Sequence, residues 1–409
     1  MIKQRQFPVA AVSKKAEAAV LGGHPWIYDS EVQEPVAAQD GDLVDAVTVG
    51  GKYLGTGFFN RHSKIRIRLI SRNANDAFDA AFFRRRFQYA WAYRKTVMGA
   101  DDLSACRVIF GEADQFPGLT VDRFGDILVT QTLSLGIDQR KSMLFPLLAD
   151  VLRADGQSIR AIYERNDVAI RAHEGLPESK GFFPLGDEPV PDSTVTEIVE
   201  NGLRYRVDFE NGQKTGFFLD QKYNRRAVAK LAKGRRVLDC FTHTGSFALN
   251  AAMGGAASVH AVDVSEDAVA LAAGNARLNH LEDRIRFQTA NVFDLLPELE
   301  KQPRGQYDLI ILDPPAFTKS RQTVHNAMRG YKEINLRAMR LLPRGGYLAT
   351  CSCSHFATDE LFRDMLRHAA ADAGVALRQI EARQQAPDHP ILWNVPETDY
   401  LKFYLFQIV

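Results

Sequence analysis

Three features of the chain bring together residue types that do chemistry. The first is a set of acids that each close an apolar run. Asp239 follows Arg236-Val237-Leu238, Asp263 follows Ser258 to Val262, and Asp313 follows Asp308 to Leu312. A carboxylate in the place of Asp263 can accept two hydroxyl hydrogen bonds, which suits a ligand that carries a ribose. The loop after Asp239, Cys240-Phe241-Thr242-His243-Thr244-Gly245, has one glycine. It lacks the G-x-G-x-x-G pattern with which a backbone cradles a pyrophosphate. Such a loop still admits a compact cationic ligand such as a sulfonium. Asp239 and Asp313 add negative charge that suits that cation and an amino group. The second feature is Asp313-Pro314-Pro315-Ala316-Phe317, in which two prolines stiffen a turn that holds the acid toward a pocket, with the Phe317 ring placed to stack on a base. The third is Cys351-Ser352-Cys353-Ser354, a pair of thiols at the end of another apolar run and suited to nucleophilic catalysis. Period-two alternation sets both on one side if the strand runs through them.

These groups need elements to hold them. From about 195 onward, short apolar runs alternate with helical stretches. Strands are expected over 236–239, 258–263, 308–313, 347–351 and 400–409, with helices beginning near Ser246 and Glu266. That pattern predicts βαβ units and a mostly parallel, doubly wound α/β sheet, with ligands bound beyond the carboxyl ends of its strands. The first 75 residues read as strands and turns, with Gly50-Gly51 turning between two of them. Lys64 to Ile70 alternates, predicting basic residues on one face and isoleucines on the other. Residues 80–98 have helical spacing of apolar positions, 137–153 predict a second helix, and 119–123, 127–132 and 161–165 predict strands. The expected organisation is a β-rich domain over 1–75, a central α+β domain over 76–190 and the doubly wound domain over 191–409.

The ordered set Asp239, Gly245, Asp263, Asn291 and Asp313-Pro314-Pro315 resembles the class I S-adenosylmethionine-dependent methyltransferases. The resemblance implies that Thr242 and Gly245 carry the methionine part of the cofactor, Asp263 its ribose, and Asn291 its adenine amine. Asp313 to Phe317 is similar to the [DN]-P-P-[FYW] signature of enzymes that methylate nucleobases. The stretch Gly212 to Gln221, with Asn224-Arg225, looks like the signature of the RlmI-type family, 23S ribosomal RNA cytosine-5 methyltransferases with an N-terminal PUA domain. Gly22 to Tyr28 resembles the PUA start, Phe110 to Arg123 the central domain, and Asp388-His389-Pro390 with Tyr400-Leu401-Lys402 the C-terminal loop and strand. That likeness implies Phe217, Asp220 and Gln221 against the cofactor, Cys353 of the Ser-Cys-Ser triplet as nucleophile, and the basic strand 64–72 as an RNA-backbone face. Cytosine C5 is a poor nucleophile, and a thiolate added at C6 makes it enamine-like and able to accept a methyl group. Asp313 would hydrogen-bond the cytosine and help protonate its ring nitrogen. Cys351 stands second to Cys353.

Composition narrows the classes. The chain has 409 residues and a net charge of +1, so it is not a basic nucleic-acid binder throughout, although Arg84-Arg85-Arg86 and residues 61–72 are local basic clusters. No apolar run is long enough for a membrane span, and Met1 to Pro8 lacks the apolar core of a signal peptide. Four scattered cysteines fit neither a disulfide framework nor a four-ligand zinc site, and no metal is expected. The expectation is a cytoplasmic enzyme acting on RNA, for which a homodimer is an open assembly. Two rivals remain: methylation of an exocyclic base amine, which needs no thiol, and an RNA-binding factor that keeps the fold without activity.

Overall fold

A computed structural model describes residues 5–186, 189–318 and 320–409. Met1 to Gln4, half of the leading stretch read for a signal, lie outside the described residues, as do residues 187 and 188 next to the expected boundary at 190. The chain forms two compact units. The first comprises Met1–Ile198, Val207–Leu219 and Pro387–Thr398, and the second Val199–Arg206, Asp220–Ala386 and Asp399–Val409. Two stretches of the segment expected to form the catalytic domain, 207–219 and 387–398, therefore pack within the first unit.

The first unit holds two five-stranded sheets. Strands β1 (Val9–Val12), β2 (Trp26–Tyr28), β3 (Leu43–Thr48), β4 (Tyr53–Phe59) and β5 (Ile65–Ser71) pair in the order β1-β3-β4-β5-β2. Ala10, Val12, Val20, Ile27, Val44, Phe59 and Ile67 make its core. The second sheet joins β6 (Ala105–Phe110), β7 (Leu119–Phe124), β8 (Ile127–Thr132), β9 (Ala161–Asn166) and β10 (Ser179–Phe183) in the order β10-β9-β8-β7-β6. It packs on the helix Ala80–Val97, which Asp79 caps at the amide of Phe82 and whose Phe82, Phe83, Phe87 and Trp91 enter the core. The helix expected over 137–153 is interrupted, with a single turn over Leu135–Asp138 and a helix over Lys141–Ala154. The basic face expected on 64–72 is largely neutralised. Arg68 is bound by Glu174 at 2.9 Å and Glu112 at 3.5 Å, Arg66 by Glu34 at 3.5 Å, and Arg61 by Asp40 at 3.4 Å. Period-two spacing sorts charges by face but is blind to the acids that other elements bring to them.

Strands β11 (Val195–Glu200) and β12 (Leu203–Asp208) form a hairpin whose tip counts with the second unit. That unit is built on seven strands: β13 (Arg236–Cys240), β14 (Ser258–Asp263), β15 (Ile285–Thr289), β16 (Leu309–Leu312), β17 (Tyr347–Ser352), β18 (Leu377–Arg383) and β19 (Lys402–Ile408). Their order is β15-β14-β13-β16-β17-β19-β18, parallel except for β19, which runs antiparallel to both neighbours. This is the doubly wound α/β sheet that the alternation of elements predicts. Leu309 to Leu312 are buried throughout because β16 is covered on both faces. Successive strands step from β13 toward one edge, then the chain returns to place β16 on its other side. The crevice between β13 and β16 is thus the switch point of the sheet, where ligands of such folds bind. Strands β15 and β18 escape sequence reading: Ile285-Arg-Phe-Gln-Thr and Leu377-Arg-Gln-Ile-Glu-Ala-Arg are short, polar edge strands with little apolar signal.

Candidate active site

The loop leaving β13 turns sharply. Phe241 and His243 adopt left-handed backbone angles, at φ 65° and 51°, and Gly245 follows at φ 77°. A Cβ at Gly245 would lie 2.9 Å from that of Ala272, so the position needs glycine for both conformation and space. The turn starts the helix Ser246–Met253 directly above the strand end. Asp239, fully buried, accepts through Oδ2 from Thr242 Oγ1 at 2.6 Å and from the amide of Ala248 at 3.0 Å. Its Oδ1 is buried and has no hydrogen-bond partner among the described residues. Burial pushes this carboxyl up to about 7, and Asp313 and Asp263 add to the rise. A buried carboxylate oxygen without a donor is the group that a ligand's ammonium or amide would satisfy.

Asp263 closes β14 and ties the two loops together. Its Oδ2 accepts from the amide of His243 at 2.8 Å and its Oδ1 from Ser265 at 3.0 Å. Each oxygen retains a lone pair for a hydroxyl. Asn291, after β15, caps the helix Val292–Glu300 by accepting from the amide of Phe293 at 3.1 Å, and it is exposed. Asp313 closes β16. Its Oδ1 accepts from Gln221 Nε2 at 2.9 Å, Gln221 Oε1 accepts from Asn224 Nδ2 at 2.6 Å, and Asn224 Oδ1 accepts from Arg383 Nε at 3.1 Å. This chain fixes the Gln221 amide with its donor facing the acid. Burial raises Asp313 to about 6, with Arg225 opposing the rise and Asp220 adding to it. Arg225 is itself buried in an ion pair with Glu200 at 2.6 Å. Asp220 accepts from the Tyr400 hydroxyl at 2.5 Å. Phe217 belongs to the first unit, where it is buried.

Strand β17 ends at Ser352, so Cys353 lies beyond it and the two thiols do not share a strand face, as alternation had suggested. Cys351 is fully buried, with Asp313 and Gln221 the polar groups acting on its thiol. Burial first, then the charge of Asp313, pushes that thiol well above its ordinary value. Cys353 is only partly buried, with its Sγ 3.9 Å from the carbonyl of Pro314. Its flanking serines are pinned: Ser352 Oγ donates to the Tyr331 hydroxyl at 3.1 Å, and Ser354 Oγ to the carbonyl of Thr318 at 2.9 Å. Lys402 Nζ donates to the carbonyls of Ser354 at 2.6 Å and Tyr400 at 2.9 Å. The lysine is buried and pushed down to about 8 by that burial, while Asp399, Cys353 and Asp359 oppose the fall. Cys240, also buried, is raised like Cys351, and Cys106 is buried in the first unit.

Phe317 does not present a free ring. It packs on Tyr331, with centroids 4.6 Å apart, and on Phe293 and Phe241 at 5.8 and 6.5 Å. The turn carries residue 317 back against Tyr331 of the helix Val324–Leu341. Lys402, Asn224 and Arg383 are contributors that sequence reading did not assign. Lys402 and Asn224 stand in stretches that resemble the family but carried no assigned role there, and Arg383 had no signal. Among the described residues no group of ligands suits a metal ion, and no helix is long and apolar enough to cross a membrane.

Comparison with known proteins agrees with this geometry. Residues 169–407 match the S-adenosylmethionine-dependent methyltransferase family model, and residues 11–72 match a PUA-like domain. Ribosomal RNA large subunit methyltransferase I of Klebsiella pneumoniae is 38% identical over 98% of this chain and 99% of its own length. The protein of that name from Tolumonas auensis is 41% identical over 96% and 97%. Among solved structures, an S-adenosylmethionine-dependent methyltransferase described from Streptococcus mutans superposes with a TM-score of 0.80 at 23% identity, covering 98% of this chain and 99% of that one. A methyltransferase complexed with SAH superposes at 0.81 and 22% identity, with the same coverage.

Proposed function

The chain belongs to the RlmI-type family of PUA-containing, S-adenosylmethionine-dependent methyltransferases, and we propose that it methylates C5 of a cytosine in 23S ribosomal RNA through a Cys353 adduct. The observation that carries this reading is the setting of Cys353. It is the partly exposed cysteine of the chain, it stands beside the Asp313-Pro314 turn, and two buried serines hold it there. When bound, S-adenosylmethionine supplies an electrophilic methyl group. The residues that fit it are Asp239, with its open Oδ1, and Thr242 and Gly245 for the methionine part, Asp263 for the ribose, and Asn291 for the adenine amine. Asp220 and Gln221 complete the proposed set, and Gln221 also orients Asp313.

The thiolate of Cys353 forms a bond to C6 of the cytosine, which turns C5 into an enamine-like carbon. Asp313, raised to about 6, can hold the proton that the ring nitrogen takes as charge develops there. Once C5 has bonded to the methyl carbon, a base takes the C5 proton, and the electron pair of that C–H bond re-forms the C5–C6 double bond and expels the Cys353 thiolate. The buried ammonium of Lys402 interacts with Cys353 and favours its thiolate. We propose residues 1–75 as an RNA-holding domain, 76–190 as a central domain and 191–409 as the segment that carries the chemistry.

The test uses RNA containing 5-fluorocytidine, in which the missing C5 proton blocks elimination. Wild type and Cys351→Ala should form a cofactor-dependent covalent complex with it, and Cys353→Ala should form none. Full methyl transfer by Cys353→Ala would overturn the proposal and favour an exocyclic amine as target.

A further inference from the structure

The first unit carries a cavity that the chemistry above does not use. It has a volume of about 220 Å³ and is lined by Arg86, Tyr89, Tyr93, Asp114, Gln115 and Pro390. Arg86, Tyr89 and Tyr93 lie on the helix Ala80–Val97 at positions i, i+3 and i+7, one stripe of its surface. The opposite side of that helix, with Phe87 and Trp91, fills the core, and Phe82, on the stripe itself, is buried beneath Arg86. Beyond Arg86 the stripe is open: Tyr89 is 65% exposed and Tyr93 37%. Arg86 is held in place, with its guanidinium carbon 4.4 Å from the centre of the Phe82 ring and one nitrogen donating to the carbonyl of Gln115 at 3.0 Å. The acid at the edge of the cavity is already compensated, because Asp114 accepts from Arg94 at 2.7 Å and from the amide of Phe110 at 2.6 Å. Pro390 is fixed through its neighbour Asp388, whose carbonyl accepts from Arg94 at 2.9 Å and whose carboxylate accepts from the amide of Arg107 at 2.8 Å. Three residues further on, Trp393 stands 93% exposed.

We infer that this cavity is a docking site for an unpaired base of single-stranded RNA, held between the Tyr89 and Tyr93 rings and the Arg86 guanidinium. Aromatic and guanidinium faces are the surfaces on which splayed-out bases stack. The space suits one planar ring system, being below the roughly 300–1,000 Å³ usual for larger ligands. Arg84 and Arg85, on the same helix, are paired with Asp150 and Asp76 at 3.6 Å, so the stacking contact rather than backbone charge carries the binding. A protein partner fits less well, since a stable protein interface needs a broad patch of roughly 800 Å² per partner. The inference rests on the reading of this chain as an RNA enzyme, and it assigns a contact remote in sequence from Cys353.

The experiment measures binding of the full chain to fluorescein-labelled decauridylate and to a ten-base-pair RNA duplex by anisotropy. Tyr89→Ala/Tyr93→Ala should bind decauridylate about 5- to 100-fold more weakly, the range for losing one stacked base. Tyr89→Phe/Tyr93→Phe should bind like wild type, and the duplex affinities should not change. Equal decauridylate affinity in the alanine variant would overturn the inference. So would equal losses in the alanine and phenylalanine variants, or an equal loss on the duplex. Both tyrosines are exposed, so the variants should melt with the wild type. Methyl transfer to 23S ribosomal RNA, run in parallel, separates the two readings. A wild type that methylates and binds RNA beside an unaffected alanine variant sinks the cavity alone. A wild type that neither binds nor methylates RNA sinks the enzyme reading beneath it.

Discussion

Asp239→Asn is the substitution on which the cofactor site can be judged. In wild type the carboxyl sits at about 7 because it is buried, and its Oδ1 faces no donor. Only the ionised form can pair with a ligand's ammonium, so the apparent dissociation constant should scale as 1 + 10^(7 − pH). That factor is about 2 at pH 7 and about 33 at pH 5.5, so affinity should fall about fifteenfold across the interval. The range stays below pH 7 because the ligand's own α-amine loses its proton near pH 8. Asp313, at about 6, should steepen the acid end. Asparagine at 239 can keep the contacts from Thr242 and Ala248, since both fall on one oxygen. It gives up the charge-assisted bond, about 1.5–3 kcal/mol, so binding at pH 7 should weaken by roughly tenfold or more and lose most of its pH dependence. Calorimetric titration with S-adenosylmethionine at pH 5.5, 6.25 and 7 reads all of this. A wild-type constant that moves less than twofold, or a variant with the wild-type slope, would refute the assignment. Stability of the free protein runs the other way. The folded carboxyl titrates above its unfolded value of 3.8, so its contribution is full below that pH and is lost as pH rises through about 7. Without ligand, the asparagine variant should therefore melt no lower than wild type at pH 8.

Four further outcomes follow from the geometry. Lys402→Met should slow alkylation of Cys353 by iodoacetamide at pH 7 several-fold by removing the ammonium that favours its thiolate, read by mass spectrometry of the labelled peptide. Glu200→Gln should cost about 3–5 kcal/mol in urea unfolding, because it takes the carboxylate from the buried Arg225 pair. Gly245→Ala should lose at least about 1 kcal/mol of stability and weaken cofactor binding in the same titration, given its positive φ and the 2.9 Å approach to Ala272. Cys351→Ala should lower stability by about 1 kcal/mol, the effect of a small cavity in a packed strand, while leaving the 5-fluorocytidine adduct intact.

Much of the second unit was legible in the chain. Apolar runs that end in acids place Asp239, Asp263 and Asp313 at the carboxyl edge of one sheet, and in the fold they stand on β13, β14 and just past β16. The edge strands β15 and β18 were not legible, because partial exposure leaves them with polar sequences. Nor was the division of the chain into units, since 207–219 and 387–398 are claimed by packing far from their neighbours in sequence.

What the sequence determined by itself is the chemistry available: which carboxylates end strands, which loop is too bulky for a pyrophosphate, and which triplet offers a thiol. Those depend on residue type and short-range period, which the chain states directly. Tertiary structure decided which groups are ready to act. It buried Cys351 against Asp313 and left Cys353 partly open. It turned the Phe317 ring into an aromatic cluster, and it paired the arginines of β5 with Glu174, Glu112 and Glu34. It also recruited Gln221 to Asp313 from 92 residues away, and Arg383 to Asn224 from 159. Burial and hydrogen-bond partnership at such separations are properties of the packed fold, and no local pattern in the sequence encodes them.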